Sequence, residues 1–200
     1  MRLMITVATL LAGALAAGTP PDEKGTGTLK GSVTHGSVKK AQTLVYIDEM
    51  PGKEFAPPAT NPTMDQRGKA FVPHVMPVVV GTTVDFLNSD DFEHNVFSPD
   101  GESYNLGNWG KGVKRSYAFK KPGVYVQLCK VHPEMAGYVV VVKTPYFALA
   151  DEEGKFKIAN VPAGTWKVKV WNERLKPKQL DASVEAKIEE GKESELEIKP

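Results

Sequence analysis

The sequence predicts an all-β protein built from two β-sandwich modules, and three observations carry that prediction. Runs of β-branched and aromatic residues, four to eight long, recur between clusters of Gly, Pro, Asn and Asp, as strands between turns do. Two C-terminal stretches, Lys155–Ile158 and Thr165–Trp171, alternate polar and apolar residues strictly. No stretch shows the i, i+3, i+4 apolar spacing of a substantial amphipathic helix. A chain of 200 residues has room for one full domain and a smaller companion.

Taken in order, residues 1–17 carry one basic residue, an apolar core and a closing Ala-Leu-Ala, the pattern of a secretory signal peptide. The apolar core is too short for a stable membrane span, and no cysteine follows it to carry a lipid. The mature protein is therefore expected to be soluble and exported, periplasmic or secreted. Residues 18–27 form a polar lead-in expected to be mobile. Thr28–Val33 and Thr43–Ile47 read as strands. Met50 to Asp65, dense in Pro, Thr and Ala, reads as a loop wrapping the sandwich. Val78–Val80 and Thr83–Leu87 read as strands broken at Gly81. Asp100–Gly112 is glycine-rich and reads as a loop with at most a short helical turn. Gly123–Leu128 and Tyr138–Val142 are apolar strands. After Thr144 come a turn at Asp151–Gly154, a strand, a second turn at Asn160–Gly164 and another strand. Val184–Ile188 and Leu196–Ile198, about the polar turn Glu189–Lys192, read as a closing hairpin.

Charge excludes one class of partner. Without Arg2 the 25 basic residues fall to 24, equal to the 24 acidic ones, and no basic face or arginine-rich segment stands out. Nucleic acid is not an expected partner. The chain has one cysteine. In an oxidising compartment it has no intramolecular disulfide partner, which leaves a reactive thiol, an intermolecular bridge or a metal ligand.

Its surroundings favour the metal. Cys129 is followed by His132 and Met135 on a short connection between two predicted strands, and His94 lies at the end of another. Thiolate, imidazole and thioether are soft donors that suit copper, and His2Cys with a weak axial Met is the blue-copper pattern. The expected set is His94, Cys129, His132 and Met135 around one Cu(I)/Cu(II) ion. An enzyme is not expected. A second copper would need further histidine clusters, and only four histidines exist in the whole chain; a dinuclear site sharing two thiolates needs a second cysteine. Three functions stay open: an electron carrier, a copper storage or delivery protein, and a β-sandwich interaction protein with incidental copper. The thiolate favours the carrier, since delivery sites can be made from His and Met alone.

The Cys-x2-His-x2-Met loop with upstream His94-Asn-Val resembles the cupredoxins, blue-copper proteins such as plastocyanin and amicyanin. The short loop with Pro133 after its histidine is most similar to amicyanin. The similarity spans roughly residues 66–143 and includes Gly68–Pro73, Val80–Asn88 and Ser116–Tyr125. It implies a Greek-key β-sandwich, a mononuclear type 1 copper site, and single-electron exchange with redox proteins of the cytochrome or dehydrogenase class. It also implies that Asn95, behind the ligands themselves, is an amide tying the ligand loop to its strand. Glu134 departs from the apolar residue of amicyanin-like loops. As a whole the chain resembles methylamine-utilisation-like proteins carrying a Thr-Pro-Tyr-Phe-Ala segment, here residues 144–148. Asp151 to Val168 resembles the carboxypeptidase regulatory-like, or transthyretin-like, sandwich. The expected organisation is a cupredoxin domain at 28–144 and a regulatory-like module at 145–200. Whether that module also takes the strands within 28–50 is left open.

Four further features are weighed separately. His74, near Met76, reads as a hydrogen-bonded structural histidine, with a second metal site as the alternative; His35 lies in a turn. Asp90, Asp91 and Glu93 form an acidic cluster that either steers a basic partner or is solvated surface. Trp166 and Trp171 read as core and edge of the second sandwich. Trp109 reads as core, with partner contact as the alternative.

Overall fold

The computed structural model describes residues 25–200. The segment read as a signal peptide and most of the lead-in lie outside the described residues. The chain starts with β1 (Thr26–Val33) and β2 (Leu44–Ile47), joined through a 3-10 turn at Val38–Lys40. It then runs through β3 (Thr63–Gln66), β4 (Phe71–Val72), β5 (Val75–Val79), β6 (Thr83–Asn88) and β7 (His94–Ser98). There follow β8 (Tyr104–Trp109), β9 (Lys114–Ala118), β10 (Gly123–Leu128) and β11 (Ala136–Val142). The last part holds β12 (Phe147–Leu149), β13 (Lys155–Pro162), β14 (Gly164–Trp171), a five-residue helix α1 (Pro177–Asp181), β15 (Val184–Ile188) and β16 (Glu193–Ile198). The protein is all-β, as its alternation and turn chemistry predict.

Four sheets make two sandwiches. One pairs a five-stranded sheet, β5-β11-β10-β7-β8, with a four-stranded sheet, β4-β3-β6-β9. Their inner faces share one core, with Met64, Phe71 and Phe86 from one sheet against Val96, Tyr125, Val139 and Val141 from the other. The second pairs β12-β2-β14-β15 with β13-β1-β16 over a core of Leu29, Val45, Ile47, Ile158, Val168, Ile188 and Ile198. Each such side chain, fully buried, contributes roughly 1.5–3 kcal/mol.

By pairing, β1 and β2 belong with the C-terminal strands. β1 lies between β13 and β16, and β2 between β12 and β14. The first sandwich is thus built from residues 63–142 and nested between two parts of the second. Where the chain leaves and returns, the two crossings touch. Thr144 Oγ1 donates to Ile47 O at 2.7 Å, Ile47 N donates to Tyr146 O at 2.9 Å, and Lys143 pairs with Glu49 at 2.7 Å.

Three local expectations are corrected. β15 and β16 do not form a hairpin: β15 pairs with β14, while β16 crosses to the other layer and runs parallel to β1. Ile188 and Ile198 still reach the same core, because alternation dictates which face is buried and not which strand lies alongside. β16 passes so close to β1 that a Cβ at Gly31 would sit 1.8 Å from Leu196 O. The stretch 100–112 holds a strand, β8, paired to β7, with Trp109 buried. Residues 26–27 of the lead-in already belong to β1.

β11 explains why Tyr138–Val142 is apolar without alternation. Val139 and Val141 point into the first core. Val140 and Val142, with Val75, pack against Leu44 and Trp171 of the other sandwich. A strand buried on both faces reads as a continuous apolar run.

Candidate metal centre

β7 and β10 are antiparallel, so the start of one lies at the end of the other. That pairing puts His94, first residue of β7, beside Cys129, which follows the last residue of β10. β10 and β11 are paired from Leu128↔Ala136 onward, so residues 129–135 close over the same end of the sheet. Within that connection Met135 N donates to His132 O at 3.0 Å, holding the loop as a turn.

The donor atoms of His94, Cys129 and His132 all lie within 4.8 Å of one another. His94 Nδ1 is 3.1 Å from His132 Nδ1 and 3.7 Å from Cys129 Sγ. His94 and Cys129 are buried and His132 is half-buried, so one imidazole edge meets solvent. Met135 is 1 % exposed and belongs to the same core cluster as Cys129. A thiol or thiolate and two imidazole nitrogens converging on one point, beside a buried thioether, suit a soft or borderline cation such as copper.

Hydrogen bonds around these side chains orient them. Asn95 N donates to Cys129 Sγ at 3.3 Å and so fixes where the sulfur points. The Asn95 side chain accepts from Lys130 N at 3.3 Å and donates to Asn105 Oδ1 and Gly107 O at 2.8 and 2.9 Å. It therefore ties the cysteine loop and β8 to the histidine strand.

Asp90 is the residue that sequence reasoning assigned differently. It turns inward, and its Oδ2 lies 2.8 Å from His94 Nε2. With Nε2–H donated to this carboxylate, a neutral His94 directs the lone pair of Nδ1 toward Cys129 and His132. The carboxylate is itself held by a tight hairpin tip. Gly68 and Lys69, joining β3 to β4, have φ of 62 and 58, and their amides donate to Asp90 at 2.7 and 3.0 Å. A two-residue turn with both φ positive is the type I′ hairpin, which suits glycine. Burial alone would raise the Asp90 pKa, but hydrogen bonds from Lys69, His94 and Gly68 outweigh it and hold the value at about 2. Asp91 instead pairs with Lys111 at the surface, at 2.6 Å, and Glu93 is exposed. A carboxylate four residues before a histidine was the available signal; on a loop, that spacing does not reveal which way the side chain turns.

Phe92 was also missed. Its ring lies 5.1 Å from that of His94 and 5.2 Å from that of His132, and it is 42 % exposed. Val131, next to His132 in sequence, is exposed as well. The mouth of the centre is thus partly apolar. Trp109 is the strand partner of His94 and is buried, so core packing describes it. His74 bonds Ala136 O and Glu173, as a hydrogen-bonded structural histidine does. His35 bonds Ser37 and Gln179.

No family model and no curated protein matches the chain. Solved structures do. A copper-containing nitrite reductase from Thermus scotoductus SA-01 is 30 % identical over 48 % of this chain and 25 % of its own, with a TM-score of 0.41. A reduced point mutant of amicyanin is 26 % identical over 43 % of this chain and 91 % of its own, with a TM-score of 0.40. A purple cupredoxin from Nitrosopumilus maritimus is 26 % identical over 40 % of this chain and 99 % of its own, with a TM-score of 0.37. The chain therefore spans a quarter of the nitrite reductase and nearly the whole of the two smaller proteins.

Proposed function

We propose that this protein is a mononuclear type 1 copper protein of the cupredoxin kind that carries single electrons between redox proteins. The observation that carries the proposal is the convergence of Cys129 Sγ, His94 Nδ1 and His132 Nδ1 at one end of the first sandwich. Copper, when bound, supplies a one-electron Cu(II)/Cu(I) couple. The chain does the rest. Cys129, His94 and His132 hold the ion, and Met135 stands as the weak fourth donor. Asp90 fixes the tautomer of His94, and Asn95 holds the thiolate and the loop. Burial of His94, Cys129 and Met135 keeps water out, and the hydrogen bonds that fix His94 and Cys129 help both oxidation states share one geometry.

The half-buried edge of His132, with Phe92 and Val131 exposed around it, is the natural port for a partner protein. We read the protein as a carrier, because the one compact donor cluster among the described residues suits passage of an electron in and out. We read residues 1–17 as an export leader from their sequence, which would fit a partner in the periplasm or outside the cell. Storage or delivery of copper is the second reading. The buried thiolate argues against it, because a closed site gives up its metal slowly.

The test is optical. Purified protein with Cu(II) should turn blue through charge transfer from Cys129 and give a type 1 EPR spectrum. Cys129→Ser should abolish both while the far-ultraviolet circular dichroism stays unchanged. A colourless wild-type protein saturated with Cu(II) would refute the carrier.

A further inference from the structure

The second sandwich reaches the metal loop through one histidine. His74, between β4 and β5, is the residue through which the two sandwiches meet at this end. Its Nδ1 lies 3.1 Å from Ala136 O, the carbonyl directly after Met135, so Nδ1–H donates there. Its Nε2 lies 3.3 Å from Glu173 Oε1, on the turn that follows β14 of the other sandwich. That contact becomes an ion pair when the ring carries its second proton. The His74 carbonyl accepts from Tyr138 N at 2.7 Å, so main chain and side chain grip the same three residues, 136–138.

Glu173 also acts on Tyr138: burial first, then the neighbouring carboxylate, pushes the Tyr138 pKa up to about 12. The rings of His74 and Tyr138 meet edge to face at 5.4 Å, and Trp171 lies 5.0 Å from Tyr138 on its other flank. One residue along, Val75 N donates to Gln42 Oε1 at 3.0 Å, again from the second sandwich. The charged or titratable groups found at this seam are His74, Glu173, Tyr138 and Tyr46, with Asp100 acting on Tyr138 and Asp48 on Tyr46 through their charge. The seam beneath is apolar: Leu44 and Trp171 against Val75, Val140 and Val142. Two sandwiches that meet over an apolar seam are thus pinned by polar contacts at the exit of the metal loop.

With the copper reading above as its premise, we propose that the second sandwich braces the copper loop, Glu173 acting through His74 on the backbone at Ala136 and so on the placement of Met135. Glu173 and His74 are positioning residues, since neither touches the ion. The second sandwich then has a task besides stability: it holds the weak donor at the same place in both oxidation states.

The test uses the full chain. Amide hydrogen exchange across residues 132–138 is compared in wild type, Glu173→Ala, Glu173→Gln, His74→Ala and the double variant, first without copper. Leu180→Ala, a partly buried residue at the same seam, is the control for general loosening. Glu173→Ala and His74→Ala should each speed exchange at 135–138 by about three- to tenfold, the effect of losing one hydrogen bond to a charged group. The double variant should add little to His74→Ala, since both act through one chain of contacts. With Cu(II), the same variants should shift the visible spectrum and the reduction potential, while Leu180→Ala shifts neither. Exchange at 135–138 and a spectrum that stay as in wild type in both Glu173 variants would overturn the brace. So would a Leu180→Ala response of equal size. A wild-type protein that stays colourless removes the copper reading alone, because the exchange comparison needs no metal.

Discussion

The two sandwiches have similar cores and different polar interiors. The first buries Asp65, Gln66, Asp85, Asn88, His94, Asn95 and Gln127, nearly all hydrogen-bonded to strands or loops at the metal end and outer sheet. The second buries Ser37, Thr43 and Asn172, the last two bonded to one another, and carries its charges outside. There Lys30 and Lys157 reach Glu193, and Lys187 and Lys192 reach Glu189. Exposed pairs of that kind contribute about 0–1 kcal/mol each. Buried polar groups cost free energy unless partnered. A sandwich that keeps many of them, His94 and Asn95 among the proposed copper donors and their supports, is organised for a site. One with an apolar core and a charged skin is organised for support.

The sharpest way to break this comparison is to cut the chain between its halves. Residues 26–145 keep every strand of the first sandwich but leave β1 and β2 without β12, β13, β14 and β16. Such a fragment should lose residues 26 to about 55 to limited proteolysis, because unpaired strands are open to cleavage. The remainder should keep the blue spectrum, at a lower melting temperature. If the fragment cannot bind copper while the full chain does, the sandwiches are not separable.

A core substitution at the seam comes next. Trp171→Ala removes a buried indole that packs on Tyr138 and Leu44. It should cost about 3–5 kcal/mol, and chemical denaturation should show both sandwiches weakened. A loss confined to the second would mean that the seam couples nothing.

Asp90→Asn probes the site end. Losing a carboxylate bonded to a ligand histidine should weaken copper binding by about 10–100-fold. It should also raise the reduction potential, because a negative charge near the ion stabilises Cu(II) more than Cu(I). Competition with a chelator and voltammetry measure the two effects.

The smallest effect is in acid. Burial would raise the Asp85 pKa, but hydrogen bonds from Lys114, Ser116 and Asn61 hold it below the usual carboxylate value. A carboxylate with a lowered folded-state pKa contributes stability that is complete above its unfolded value, about 3.9, and lost as pH falls through the folded one. Asp85→Asn should therefore lower the first sandwich's stability above about pH 4 by a constant amount and flatten its acid limb below that pH. Melting curves recorded from acid to neutral pH would show it.

Much of this was legible in the order of residues. Alternation at Lys155–Ile158 and Thr165–Trp171 marked strands because side chains on a strand take opposite faces by geometry. The Cys-x2-His-x2-Met loop marked a cluster because a short connection between two strands keeps its residues at one end of a sheet. The structure brings His94 to that end through the antiparallel pairing of β7 with β10. Those are local facts, set by spacing and donor chemistry. Which strand lies beside which is not local. β16 beside β1, and β1 and β2 beside strands from the far end of the chain, follow from where apolar area across the whole chain is best buried. Asp90 turning onto His94, and Glu173 reaching His74, follow from packing in the same way. A carboxylate on a loop reads alike whether it meets water or a histidine, and only the assembled sheets decide between them.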